Sequence, residues 1–244
     1  MRRQAWVAAI STVVSAVLGL TWLGLFAVQP LLGFEDTDDP ALGVAFVRAH
    51  PQVFALTGLA LVVMAIALTI SVASISEDNF VGSQRWPVTA TTAAGLGAAV
   101  CFLVFGAMRV GASGPLLHIA GLSTEWGETV YLVVQIAGVQ GVLPAGLLGL
   151  ALWATGVSLL GLARRALPVV ICVLGVVPAL HVLVRLLGSS GLLPDGAWFI
   201  LAASIPGTML WCLALGFALV VRALRGTSTA RERRPGRSGS ESHP

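Results

Sequence analysis

The stretch PQVFALTGLALVVMAIALTISVASI, Pro51 to Ile75, contains no Asp, Glu, Lys, Arg or His. As a helix rising 1.5 Å per residue it would be about 37 Å long, enough to cross a hydrocarbon layer of about 30 Å. Inside lipid every backbone N–H and C=O must be paired within the protein, so an apolar run of this length has the helix as its one local solution. Pro51 suits the first helical position, where its missing N–H costs nothing, and it biases His50 away from helical geometry.

Working outward from this run, comparable ones cover 6–28, 88–110, 138–162, 167–187 and 197–221. The reading is an all-α, polytopic membrane protein, with a six-helix domain over 1–222 and a basic, disordered cytoplasmic tail over 223–244. Composition agrees. Of 244 residues, 57% are hydrophobic and 10% charged, where a soluble domain carries about a quarter charged. Mean hydropathy is +0.91, which excludes a water-soluble globule. The first run is too long for the roughly 7 to 15 residue core of a signal peptide, and Gln4-Ala5-Trp6 after Arg2-Arg3 lacks the context of a twin-arginine export signal.

One region resists simple division. Val130 to Ala163 is too long for one span and too short for two with a turn. It is expected to split into an interfacial first part, holding Tyr131 and Gln135, and a span that kinks near Pro144.

Arginine distribution sets the expected orientation, since cytoplasmic loops are enriched in positive charge. With the N-terminus inside, the inner segments hold Arg2, Arg3, Arg85, Arg164, Arg165, Arg222, Arg225, Arg231, Arg233, Arg234 and Arg237, leaving only Arg48, Arg109 and Arg185 at outer ends. The acids Glu35, Asp36, Asp38, Asp39, Glu125, Glu128 and Asp195 fall outside. Both termini are therefore expected in the cytoplasm. All 14 basic residues are Arg and none is Lys, a codon bias that points to a GC-rich bacterium and so to its inner, plasma membrane.

The loops are too short to hide a soluble domain. In the longest, Pro30 to His50, Pro40 is a plausible start for a short surface helix over Ala41 to Ala49. The acidic run Glu35 to Asp39 has no glycine where a calcium-binding hand needs one and no later glutamate, so it is read as a solvated loop. His50 and His118 are isolated, and Cys101, Cys172 and Cys212 lie apart inside apolar runs as small core residues. No metal site, cofactor or nucleic-acid interface is expected. Gly141, Ala145 and Gly149 repeat at the spacing of small residues that lets helices approach closely. The tail, with its arginines and almost nothing to bury, suits contact with anionic lipid.

Charge near a span is the feature that points to function, because ionisable groups inside a bilayer are costly unless partnered. Arg109 and Arg185 end the third and fifth spans, and both are followed by Gly, Ser and Leu rich text that resembles a repeat. His181 and Arg185 are one turn apart on one helical face. The candidate site is an outward-facing polar pocket of Arg109, Gln135, His181 and Arg185, closed by Glu125 or Glu128. The bland reading has the arginines snorkelling to headgroups, His181 bonded within the bundle, Trp126 and Tyr131 in an aromatic belt, and the two acids at a helix N-terminus.

Gly146-Leu147-Leu148-Gly149-Leu150-Ala151-Leu152-Trp153, leading through Arg164-Arg165-Ala166-Leu167-Pro168 to a Gly-rich fifth span, resembles a family of bacterial six-helix membrane proteins known only as a domain of unknown function. The resemblance covers about residues 50 to 222 and implies the six-helix fold, with no assigned activity. No nucleophile with a base and no paired intramembrane carboxylates stand out, so an enzyme is not expected. The functions that remain are binding or transport of a small solute or ion, or a non-catalytic scaffold or regulatory subunit that meets a membrane protein partner or a second copy of itself.

Overall fold

The computed structural model describes residues 2–34, 39–79, 85–189 and 198–232. These form helices and no strand: α1 (Arg2–Val28), α2 (Pro40–Ala49), α3 (Pro51–Asn79), α4 (Arg85–Leu122), α5 (Thr124–Val134), α6 (Leu143–Arg164), α7 (Val169–Leu174), α8 (Val176–Ser189) and α9 (Trp198–Glu232). Six stretches are long and apolar enough to cross a membrane: Arg3–Leu32, Pro51–Ser76, Trp86–Leu122, Thr124–Arg164, Val169–Gly188 and Ala203–Arg225. The chain is an all-helical, multi-pass membrane protein. Its outer face agrees, since Ile10, Ile66, Val100, Leu159, Val173 and Phe217 are exposed apolar side chains that only lipid would cover.

Each span packs on the next, α1 on α3, α3 on α4, α4 on α6 and α6 on α8, and α9 closes the ring between α8 and α1. Lipid gives no hydrophobic drive for this association, so close contact and interhelical hydrogen bonds must hold it. Gly58 and Gly106 show how close: a Cβ on either would meet the other's carbonyl oxygen, at 2.7 and 2.6 Å. Thr12 on α1 bonds Ser71 on α3 at 2.6 Å, and Ser76 on α3 bonds Thr92 on α4 at 2.7 Å. Trp153 of α6 and Trp211 of α9 meet edge to face at 6.1 Å across the ring, and the Trp211 indole N–H donates to the Ile171 carbonyl at 2.9 Å.

Several boundaries differ from the sequence reading. The third span does not end near Val110: α4 runs on through Pro115 to Leu122. Pro115 removes one backbone hydrogen bond, but Leu116 and Ala120 beyond it are buried in a second small core with Val44, Val47, Phe54 and Tyr131, and that burial carries the helix onward. At 38 residues α4 is about 57 Å long, so its end stands clear of a hydrocarbon layer and, with α2 and α5, caps the bundle at the end remote from the chain termini. Asp39 caps α2 through its Oδ1, which accepts the Ala41 N–H at 2.9 Å. The Arg48 side chain donates to the Ala120 carbonyl at 3.5 Å, tying α2 to α4. The short surface helix expected at 41–49 thus exists, but it packs on protein.

The long fourth region splits as expected, and the joint is a π-helical segment, Gln135–Val142, that ends just before Pro144. The Leu143 N–H reaches back to the Gly138 carbonyl, one residue further than in an α-helix. This wide turn rotates what precedes it and corrects the expected small-residue stripe. Gly149 packs on Ala94 and Ala98 of α4, whereas Gly141 meets no neighbouring side chain and Ala145 is exposed. The residues that meet α4 are Gly138 on Phe105, Gly146 on Phe102, Gly149 and Gly156 on Thr91.

The fifth span, expected continuous over 167–187, breaks at Gly175 into α7 and α8. Pro178 has no N–H for the Leu174 carbonyl, and the chain answers with a tighter turn in which the Gly175 N–H bonds the Cys172 carbonyl at 3.2 Å. The last helix passes its expected end at 221 and runs to Glu232, so the first residues of the stretch expected as a disordered tail are helical. Residues 233–244 lie outside the described residues, as do Glu35 to Asp38 and Asp195.

Candidate functional site

Most buried hydroxyls in the bundle satisfy themselves by bonding a carbonyl one turn back, as Thr12, Thr57, Ser158 and Thr208 do. Among the described residues, five buried nitrogens have no partner: Trp22 Nε1, Gln29 Nε2, Arg109 Nε, His181 Nε2 and Arg185 Nε. Their positions follow a pattern. Gly19 of α1 faces Met64 of α3 and Met209 of α9, which marks one layer of the bundle. Trp22 lies beyond Gly19 toward the end of α1 and Gln29 just past that end, Arg109 lies past Phe102 and Phe105 on α4, and His181 and Arg185 lie in the second half of the span Val169–Gly188. All five atoms therefore fall in the half of the bundle remote from the chain termini.

Arg109 is only 4% exposed. Its guanidinium carbon sits 4.2 Å from the ring centroid of Phe54 on α3 and 5.7 Å from that of Phe105, one turn back on α4. The absence of a side chain at Gly58 makes room for its Cβ, which lies 2.9 Å from where a Cβ on Gly58 would be. Tyr131, expected in an interfacial belt, is instead 3% exposed, with its ring against Gly43 of α2 and within electrostatic reach of Arg109. Its burial follows from α2 and α5 folding over the end of α4, which local sequence does not announce.

His181 is 1% exposed, and its Nδ1 shares a 2.8 Å hydrogen bond with Ser204 Oγ on α9. Either tautomer leaves Nε2 unpaired. Arg185, one turn on, is half-buried. The sequence reading missed this histidine and serine contact, since 23 residues separate them. The ring nitrogen away from Ser204 has no third group to orient it as a catalytic triad would, and the bond serves as a clamp between α8 and α9.

The structure therefore splits the expected pocket. Arg109 belongs to the corner made by α2, α3, α4 and α5, while His181 and Arg185 belong to the contact of α8 with α9 and α6, on the far side of α6. Glu125 is exposed in the first turn of α5 and Glu128 half-buried one turn on. The cap there is Ser123, whose Oγ accepts the Trp126 N–H at 3.4 Å. Neither acid forms an ion pair with Arg109 or Arg185 among the described residues. Gln135 is half-buried as the first residue of the π-helical segment. The first of the two similar texts after the arginines stays helical through Pro115, while the second runs past Ser189 into residues 190–193, which lie outside the described residues.

Trp22, Gln29 and Phe54 escaped the sequence reading. Their one signal was a hydrogen-bonding or aromatic group inside or at the end of an apolar run, which also describes an ordinary interfacial belt. No three potential metal ligands come together among the described residues. Comparison with known proteins adds no relative, for no family, curated protein or solved structure matches the chain. The family resemblance drawn above rests on its quoted positions alone.

Proposed function

We propose that the protein binds, and moves across the membrane, a small solute or ion at a membrane-embedded site in the half of the bundle remote from its termini. The observation that carries this is the gathering, in that half, of the unpaired buried nitrogens found among the described residues. Such groups are costly to leave unsatisfied, so in folded proteins they mark bound water, ions or a functional role. Arg3, Arg164, Arg165, Arg222 and Arg225 all lie at the opposite end, which supports a bacterial plasma-membrane protein with cytoplasmic termini and an outward-facing site. That basic end, continued by the tail arginines, would lie against anionic lipid.

Ligand-dependent thermal unfolding of the purified protein, with anionic, neutral and cationic solutes, is the test. The expected result is a saturable stabilisation by at least one class that His181→Phe or Arg109→Met weakens. Absence of any stabilisation would overturn the proposal and favour a scaffold or regulatory subunit. Reporter fusions at Thr37 and Gly226 check the orientation, and cytoplasmic signal from the Thr37 fusion would overturn it.

A further inference from the structure

We infer that the ligand is a small monovalent oxyanion, a carboxylate, and that Arg109 is the residue that anchors it. This rests on the proposed binding site and adds its chemistry. Of the unpaired groups in the remote half, the indole nitrogen of Trp22, the amide nitrogen of Gln29 and the guanidinium Nε of Arg109 and Arg185 can only donate, and His181 Nε2 alone could also accept. In its own corner Arg109 presents a donor, Nε–H, with no partner, and an open donor takes a ligand that accepts.

Charge leads to the same conclusion. Arg109 is a fixed cation, more than nine-tenths buried. The acids with described side chains, Asp39, Glu125 and Glu128, all stand at helix starts and none pairs with it. Cation–π contact with Phe54 and Phe105 compensates only part of the lost hydration. The remaining compensation has to come from an anion brought from outside the described fold.

Geometry narrows the anion. The guanidinium carbon lies over the Phe54 ring at 4.2 Å, a contact that satisfies none of the in-plane N–H bonds. Nε–H has no partner, and the guanidinium edge it shares with a terminal N–H is the shape that a carboxylate matches with two parallel N–H bonds. One guanidinium balances one charge. The apolar rings beside it, Phe54 and Phe105, penalise a second charge and suit the carbon body of an organic acid.

The test uses full-length protein in lipid nanodiscs, labelled with 15N-arginine, with the Arg109 Nε–Hε resonance assigned by its loss in Arg109→Lys. Acetate and benzoate are titrated at constant ionic strength, beside chloride, inorganic phosphate, glucose and choline. The expected result is a saturable shift of the Arg109 resonance with acetate and benzoate. Wild-type thermal stability should rise in parallel, and apparent affinity should fall tenfold or more in Arg109→Lys. A shift driven by glucose or choline but not by the carboxylates would overturn the anion assignment and leave the binding site standing. Saturation by chloride or phosphate alone would overturn the carboxylate, and no shift with any solute would overturn both readings. If Glu35→Gln, Asp36→Asn, Asp38→Asn or Asp195→Asn displaces the resonance without ligand, the counter-charge belongs to the chain itself and the inference falls.

Discussion

Replacing Arg109 by methionine should stabilise the ligand-free protein. Methionine keeps the length and flexibility of the side chain, so the change removes charge with little loss of volume. An arginine at the centre of a membrane helix costs about 2.5 to 3.5 kcal/mol on insertion scales. Against this, the guanidinium over Phe54 at 4.2 Å recovers about 2 kcal/mol in a desolvated setting. A thioether on the same rings regains about 0.3 to 1.5 kcal/mol. The balance is a gain of about 1 to 3 kcal/mol, in line with the stabilisation seen when buried ions give way to apolar side chains. Reversible unfolding in mixed micelles, with chloride as the only anion, would measure it. The sign decides. Were Arg109 paired with Glu125 or Glu128, removing it would strand a carboxylate and cost about 3 to 5 kcal/mol. A loss of that size, or a non-zero coupling between Arg109 and Glu128 in a double-mutant cycle, would refute the reading of Arg109 as an uncompensated cation.

Gly106→Ala should destabilise by about 1 to 3 kcal/mol, because the new Cβ meets backbone atoms, the Gly58 carbonyl at 2.6 Å and the Val62 nitrogen at 2.9 Å. Gly97→Ala, with nothing within 4 Å, should be neutral or stabilising, so equal effects in the same unfolding assay would refute the close helix crossing. Ser204→Ala leaves His181 with neither ring nitrogen bonded and should cost about 1 to 3 kcal/mol; an unchanged melting temperature would mean that the clamp contributes nothing. Thr12→Val and Ser71→Ala should each cost about 0.6 kcal/mol and couple in a double-mutant cycle, and strict additivity would count against their bond.

Pro51 to Ile75 needed nothing beyond itself to declare a membrane helix, because in lipid a charge-free run must pair its backbone locally and only a helix does so. The same physics made six spans readable and placed the joint near Pro144 and the start of α2 at Pro40, since a missing N–H acts within one turn. Other features depended on residues far apart in the chain. Continuation of α4 through Pro115 was decided by Leu116 and Ala120 meeting α2 and α5, and burial of Tyr131 by Gly43, 88 residues away. Helical periodicity could place His181 and Arg185 on one face, but whether Arg109 joined them depended on the order of helices around the ring, which put α6 between. Local chemistry says that a buried arginine or histidine needs a partner. Which partner it finds, Phe54, Ser204 or none, is set by packing across the bundle, and sequence spacing along one helix carries no trace of it.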